Sequence, residues 1–126
     1  MGQTHLIDTN VIIDYFGDKL PTDAKLFLNN LEPVISAVTK IEVLGWHKAT
    51  ELQLKPLYAF MDWVVILPIN EAVVDKTISL RQKYRIGLGD AIIAATALVN
   101  NLVLITRNIK DFEIIDALSL VNPFEL

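Results

Sequence analysis

Four short apolar runs recur along the chain with stretches of helical character between them: His5-Leu6-Ile7-Asp8, Val34-Ile35-Ser36, Val64-Val65-Ile66-Leu67 and Leu102-Val103-Leu104-Ile105. This alternation is the strongest constraint on the fold. Strands that are apolar throughout must be covered on both faces, and intervening helices serve as crossovers between parallel neighbours. The pattern therefore predicts an α/β fold, a three-layer sandwich with a central, mostly parallel sheet flanked by helices. Helices are expected from just after Asp8 to about Phe16, from Pro21 to about Asn30, from Thr39 to about Lys48, over Glu51 to Asp62, over Glu71 to Tyr84, and from Asp90 to about Asn100. In the second of these, Ala24, Phe27 and Leu28 fall at i, i+3 and i+4 on one face. Pro56 leaves the start of the fourth open. The 126 residues are expected to form a single domain over positions 1–126, with a short tail through Asn122-Pro123-Phe124.

Composition narrows the function classes. A hydrophobic content of 52% is too high for a disordered chain. The absence of cysteine excludes a disulfide scaffold and any thiolate metal or redox site, and two histidines argue against an ordinary zinc centre. The longest apolar stretch, Ala91 to Ile105, is broken by Asn100-Asn101 and is too short to span a bilayer. With no targeting segment visible, a cytoplasmic chain with no membrane partner is expected. The formal charge of −4, from 15 acids and 11 bases, argues against holding nucleic acid by bulk positive charge. It leaves open nucleic acid met through bound cations.

In parallel sheets the working crevice lies beyond the C-terminal ends of the strands. Asp8 closes the first strand, and Asp111 lies just beyond the last, in Thr106-Arg107-Asn108-Ile109-Lys110-Asp111-Phe112. On a helical wheel over Val38 to Lys48, Glu42 falls between Val38, Gly45 and Trp46, opposite Lys40 and His47, so a carboxylate is expected on an apolar face. Asp90 opens the nearly all-apolar stretch Ala91-Ile92-Ile93-Ala94-Ala95-Thr96-Ala97-Leu98. Each acid also has a structural reading. Asp8, Asp90 and Asp111 could cap the helices that follow them, and Glu42 could reach to a solvated rim. The preceding Gly87-Leu88-Gly89 is no dinucleotide fingerprint, because Ile92 stands where a third glycine is needed. Taken together, carboxylates gathered at one edge repel each other and must be protonated or share cations. An all-oxygen set suits a hard divalent ion such as Mg²⁺.

Several segments resemble the PIN domain family. Asp8-Thr9-Asn10-Val11-Ile12-Ile13-Asp14 is similar to its opening, and Ile35-Ser36 through Thr39 and Glu42-Val43 to its second acidic motif. Gly89-Asp90-Ala91-Ile92-Ile93-Ala94-Ala95-Thr96-Ala97 is similar to the third motif. Leu104 to Phe112, followed by Asn122-Pro123, resembles the closing segment. Length and motifs together look most like the VapC-type toxins of toxin–antitoxin pairs. The resemblance implies a Mg²⁺- or Mn²⁺-dependent endoribonuclease, with one or two ions per site, acting on single-stranded RNA. It also implies a homodimer and a cognate antitoxin protein that inhibits it.

By the same resemblance, Asp8, Glu42 and Asp90 match the three core acids. For the fourth, an acid occupies either the position of Asn108 or that of Asp111 in the family, and only Asp111 is acidic here. Asn10 and Thr106 match supporting polar positions. Chemically, an ion held by Asp8 and Asp90, with Glu42 and Asp111 directly or through water, would activate a water for in-line attack on phosphorus. Arg107 and Lys110 flank the fourth motif, and Arg81, Lys83 and Arg85 precede the third. These could follow an RNA backbone, although a charge run also suits a solvated helix face. Trp46 could stack a base or fill a core or dimer interface. Two other readings remain: a catalytically silent PIN-like binding or scaffolding module, which the full set of core acids argues against, and a haloacid-dehalogenase-like phosphatase, which needs an acid where Asn10 stands.

Overall fold

The computed structural model describes residues 2–126. Its strands are β1 (His5–Ile7), β2 (Val34–Ser36), β3 (Val65–Leu67), β4 (Val103–Ile105) and β5 (Leu120–Val121). Its helices are α1 (Thr9–Phe16), α2 (Thr22–Asn29), α3 (Ala37–Leu44), α4 (Glu51–Met61), α5 (Glu71–Lys83), α6 (Leu88–Val99) and α7 (Ile109–Phe112), with a 3-10 turn at Pro123–Glu125. Every ladder is parallel. β1 pairs with β4, with His5 opposite Val103 and Ile7 opposite Ile105, and β5 pairs with the far side of β4. β2 and β3 form a second ladder, and β2 lies alongside β1. The spatial order is thus β3-β2-β1-β4-β5.

Side-chain alternation along the strands builds the layers. Ile7, Ile35 and Ile105 point into one core with Val11, Leu28, Leu57 and Phe60 from α1, α2 and α4. Their neighbours Leu6, Val34 and Leu104 point into the other with Val73, Ile93 and Phe112 from α5, α6 and α7. A strand buried on both faces reads as a continuous apolar run, as the sequence pattern implied. Each of these side chains contributes roughly 1.5–3 kcal/mol by leaving water. On α6, Ala91, Ala94, Ala95 and Ala97 are all buried and let the helix approach the sheet closely, and the buried Thr96 hydroxyl donates to the Ile92 carbonyl at 2.7 Å.

Four details depart from the sequence reading. β1 ends at Ile7, one residue short of Asp8, which caps α1 as its structural reading allowed. α3 ends at Leu44, where Gly45 closes it by donating to the Ile41 carbonyl at 2.8 Å; a Cβ at Gly45 would come within 2.6 Å of that oxygen. α6 begins at Leu88 behind Gly87, so Asp90 lies within its first turn and is not the cap. The tail carries β5, which the sequence reading leaves out. Pro56 sits inside α4, whose start is set by reciprocal Thr50 and Gln53 capping bonds.

The chain leaves β1 towards β2 and β3, then returns to β4 on the other side of β1. Strand order therefore reverses between β1 and β4, and the crevice of such a sheet opens beyond their C-terminal ends. Asp8 and Thr106 occupy those two ends.

Candidate active site

Asp8 continues the β1–β4 pairing, its N–H donating to the Ile105 carbonyl at 2.9 Å. The residue is 3% exposed. The Thr9 backbone N–H donates to Oδ1 at 2.8 Å, and the Thr106 hydroxyl donates to Oδ2 at 2.8 Å. The Asn108 N–H in turn donates to the Thr106 oxygen at 3.0 Å, so the loop after β4 is tied to the carboxylate through one hydroxyl. Burial raises the Asp8 pKa from 3.8 to about 6; the two hydrogen bonds pull it down, and the charges of Asp90 and Glu42 push it further up.

Asp90 is half-buried in the first turn of α6. A helix N-terminus favours a negative charge by up to about 1 kcal/mol at ordinary exposure. Here burial wins, and together with the neighbouring Asp111 and Glu42 charges it raises the Asp90 pKa. Glu42 is exposed on α3, contrary to the expected apolar face. The physical reason is the early stop at Gly45, which takes Trp46 off the helix and out of the wheel. Its carboxylate nonetheless has two neighbours. Oε1 accepts the Thr9 hydroxyl at 2.5 Å, and Oε2 lies where a Cβ on Gly89 would come within 2.9 Å. Asp111 is exposed on α7 and contributes to the potential at Asp90.

The structure thus brings Asp8, Glu42, Asp90 and Asp111 into one electrostatic neighbourhood, with no basic group lowering the pKa of Asp8 or Asp90. Among the described residues, no three Asp, Glu or His side chains are grouped closely enough to hold a metal ion by themselves. An all-oxygen, open, mutually repelling set fits a hard divalent ion that keeps several of its waters.

The other expected residues divide. Asn10 is half-buried in the first turn of α1, and Asn108 takes part through its backbone N–H. Arg107, Asn108, Lys110 and Asp111 line a shallow depression of about 410 Å³ with Asn122 and Glu125 from the 3-10 turn after β5. Lys110 is exposed there, whereas Arg107 reaches back to the buried Asp14, Nη1 to Oδ2 at 2.8 Å. Arg81, Lys83 and Arg85 are exposed, and no ion pair joins them to the four acids; Lys83 pairs with Asp116 at 3.5 Å and lies over the Tyr84 ring. Trp46 is half-buried beside Ile13, Leu52 and Leu57. Two residues outside the sequence reading of the site enter it here. Thr9 holds Glu42, and Asp14 engages Arg107.

Residues 5–118 match the PIN domain family model. The chain belongs to the PIN domain family. Within that family its likeness is to the VapC type. A chain of a toxin–antitoxin complex from Klebsiella pneumoniae is 35% identical over 98% of this chain and 100% of its own, with a TM-score of 0.80. A chain of VapBC-1 from nontypeable Haemophilus influenzae is 27% identical, covering 96% and 98%, with a TM-score of 0.78. For DNA-bound VapBC from Salmonella typhimurium the identity is 24%, the coverage 96% and 98%, and the TM-score 0.86, a likeness of fold. No curated protein sequence matches the chain. In this PIN domain no helix among the described residues is long and apolar enough to cross a membrane.

Proposed function

We propose that residues 1–126 form one catalytic unit, a Mg²⁺- or Mn²⁺-dependent endoribonuclease that cleaves single-stranded RNA in the cytoplasm as a homodimer. It is the toxin of a toxin–antitoxin pair, restrained by a cognate antitoxin, in keeping with its likeness to chains of a toxin–antitoxin complex and of VapBC-1. The observation that carries the reading is the buried Asp8 carboxylate, which neighbouring acids press upon without a basic group to relieve it. Asp8, Glu42, Asp90 and Asp111 would hold one or two ions. Such an ion supplies Lewis acidity that activates water and offsets charge at the scissile phosphate.

The chain's own residues do the rest. Thr106 and the Thr9 N–H fix both oxygens of Asp8, so its orientation does not depend on a ligand. Asp90 takes its direction from the rigid, buried α6. Asn108 keeps the loop after β4 against the site through Thr106, and the exposed Lys110 is free to meet a phosphate. Asn10, in the first turn of α1, is a supporting polar group. Arg81, Lys83 and Arg85 would guide more distant parts of the RNA.

The test is cleavage of defined single-stranded RNAs by the partner-free chain with Mg²⁺ or Mn²⁺. Asp8→Asn and Asp90→Asn are each expected to lower the rate on the order of 100-fold or more, the loss of several kcal/mol of charge stabilisation. A wild type that cleaves nothing with either ion, or variants that match it, would end the enzyme reading.

A further inference from the structure

Glu42 differs from the buried Asp8 because no packing fixes it. It is exposed on a helix surface, and a free glutamate side chain keeps rotamer freedom that any single pose must overcome. Two contacts restrain it. The Thr9 hydroxyl donates to Oε1 at 2.5 Å, and the fully buried Thr39 hydroxyl stands 3.2 Å behind Thr9. One hydroxyl proton cannot serve two acceptors, and the charged, nearer oxygen takes it, so Thr9 can accept from Thr39 in return. On the other side, Oε2 occupies the space that a side chain at position 89 would fill, 2.9 Å from the Cβ position, with Cδ at 3.7 Å.

We infer that the Thr9 hydroxyl and the bare Cα of Gly89 form a two-sided seat that aims the Glu42 carboxylate at the cation site, making Thr9 and Gly89 positioning residues. The inference rests on the metal-dependent reading above. Thr9 follows Asp8 in the chain and Gly89 precedes Asp90, so the seat joins the three segments that carry the core acids. A methyl at position 89 would meet only the far end of a flexible side chain. Glu42 yields to it at little cost to the fold, and the damage falls on its aim.

That separation makes the inference testable on the full chain by Mn²⁺ binding, followed by calorimetry and by electron paramagnetic resonance, with melting temperatures in parallel. Thr9→Val and Gly89→Ala are expected to weaken Mn²⁺ binding about tenfold or more, the scale for groups that orient metal ligands; Gly89→Ala does so without a matching loss of melting temperature, whereas Thr9→Val also lowers it by leaving the buried Thr39 hydroxyl without that partner. Thr9→Ser is expected to bind like wild type. In a Glu42→Ala background, Thr9→Val is expected to change nothing further, because Thr9 acts through Glu42. The inference is overturned if Thr9→Val binds Mn²⁺ as wild type does, if Thr9→Ser is as weak as Thr9→Val, or if the Thr9→Val and Glu42→Ala losses add. A wild type that binds no Mn²⁺ removes the metal reading and this inference together, whereas a wild type that binds alongside an unaffected Thr9→Val removes this inference alone.

Discussion

Asp8 and Asp14 stand at the two ends of α1 and are equally hidden, each 3% exposed, yet their surroundings are opposite. Asp14 has a guanidinium 2.8 Å from Oδ2. That oxygen makes no well-aligned hydrogen bond, so the N···O distance and the bond geometry disagree, and the contact is better described as a charge pair than as a directed bond. Asp8 receives neutral donors only, and its charged neighbours are other acids. The fold can therefore bring a cation to a carboxylate buried on this helix, and at the sheet edge it does not. The unrelieved charge at Asp8 is a local feature of the strand ends.

The contrast can be broken most directly at Arg107. Arg107→Ala leaves Asp14 buried without its counter-charge. Full burial of both partners would make this a loss of 3–5 kcal/mol; with Arg107 44% exposed, water takes up part of the pair's role, and about 2–3 kcal/mol is expected in urea unfolding. A loss below about 0.5 kcal/mol, the scale of an ordinary surface change, would make the two aspartates equivalent. The opposite sign is expected at the other end of the helix. Without divalent ions, Asp8→Asn removes a charge that burial disfavours while keeping the Thr9 N–H acceptor, and should stabilise the fold by on the order of 2 kcal/mol. A variant less stable than wild type under those conditions would show that the hydrogen bonds outweigh burial.

The smallest effect sharpens the comparison through pH. Asp8 binds its proton more tightly folded than unfolded, with a pKa of about 6 against 3.8, so folding takes up a proton between those values. Stability from this group is present in full below the unfolded pKa and is lost as pH rises through about 6. Going from pH 7 to pH 5, metal-free wild type should gain about 1 kcal/mol relative to Asp8→Asn measured alongside it. A difference that stays flat with pH would place Asp8 in an ordinary environment.

The contrast also marks how far the sequence could be read. β1 to β4 are legible because both faces of each are covered, which leaves uninterrupted apolar runs. β5 is not, because Leu120–Val121 is a strand only through its backbone, with the Thr106 N–H reaching the Val121 carbonyl at 2.9 Å. Asp8 and Asp90 stand out by position, one after a strand and one at the start of an apolar helix. Glu42 is visible as an acid, but its face is misjudged, since the wheel runs past Gly45 into residues outside α3. Thr9 and Asp14 are invisible as participants for a common reason. Each is an ordinary residue until another segment arrives, α3 with Glu42 for the one and the loop after β4 with Arg107 for the other.

The hydrogen bond from Thr106 to Asp8 joins residues 98 positions apart, and the β1–β4 ladder beneath it spans a similar interval. During synthesis, Asp8, Glu42 and Asp90 all leave the ribosome before the strand that seats the first of them. Contacts of such long range carry a loop-closure entropy that must be met before they are rewarded, so they form late. A nascent chain therefore carries Asp8, Glu42 and Asp90 unassembled until β4 emerges and docks, so the arrangement that seats Asp8 is completed only when that strand has left the tunnel.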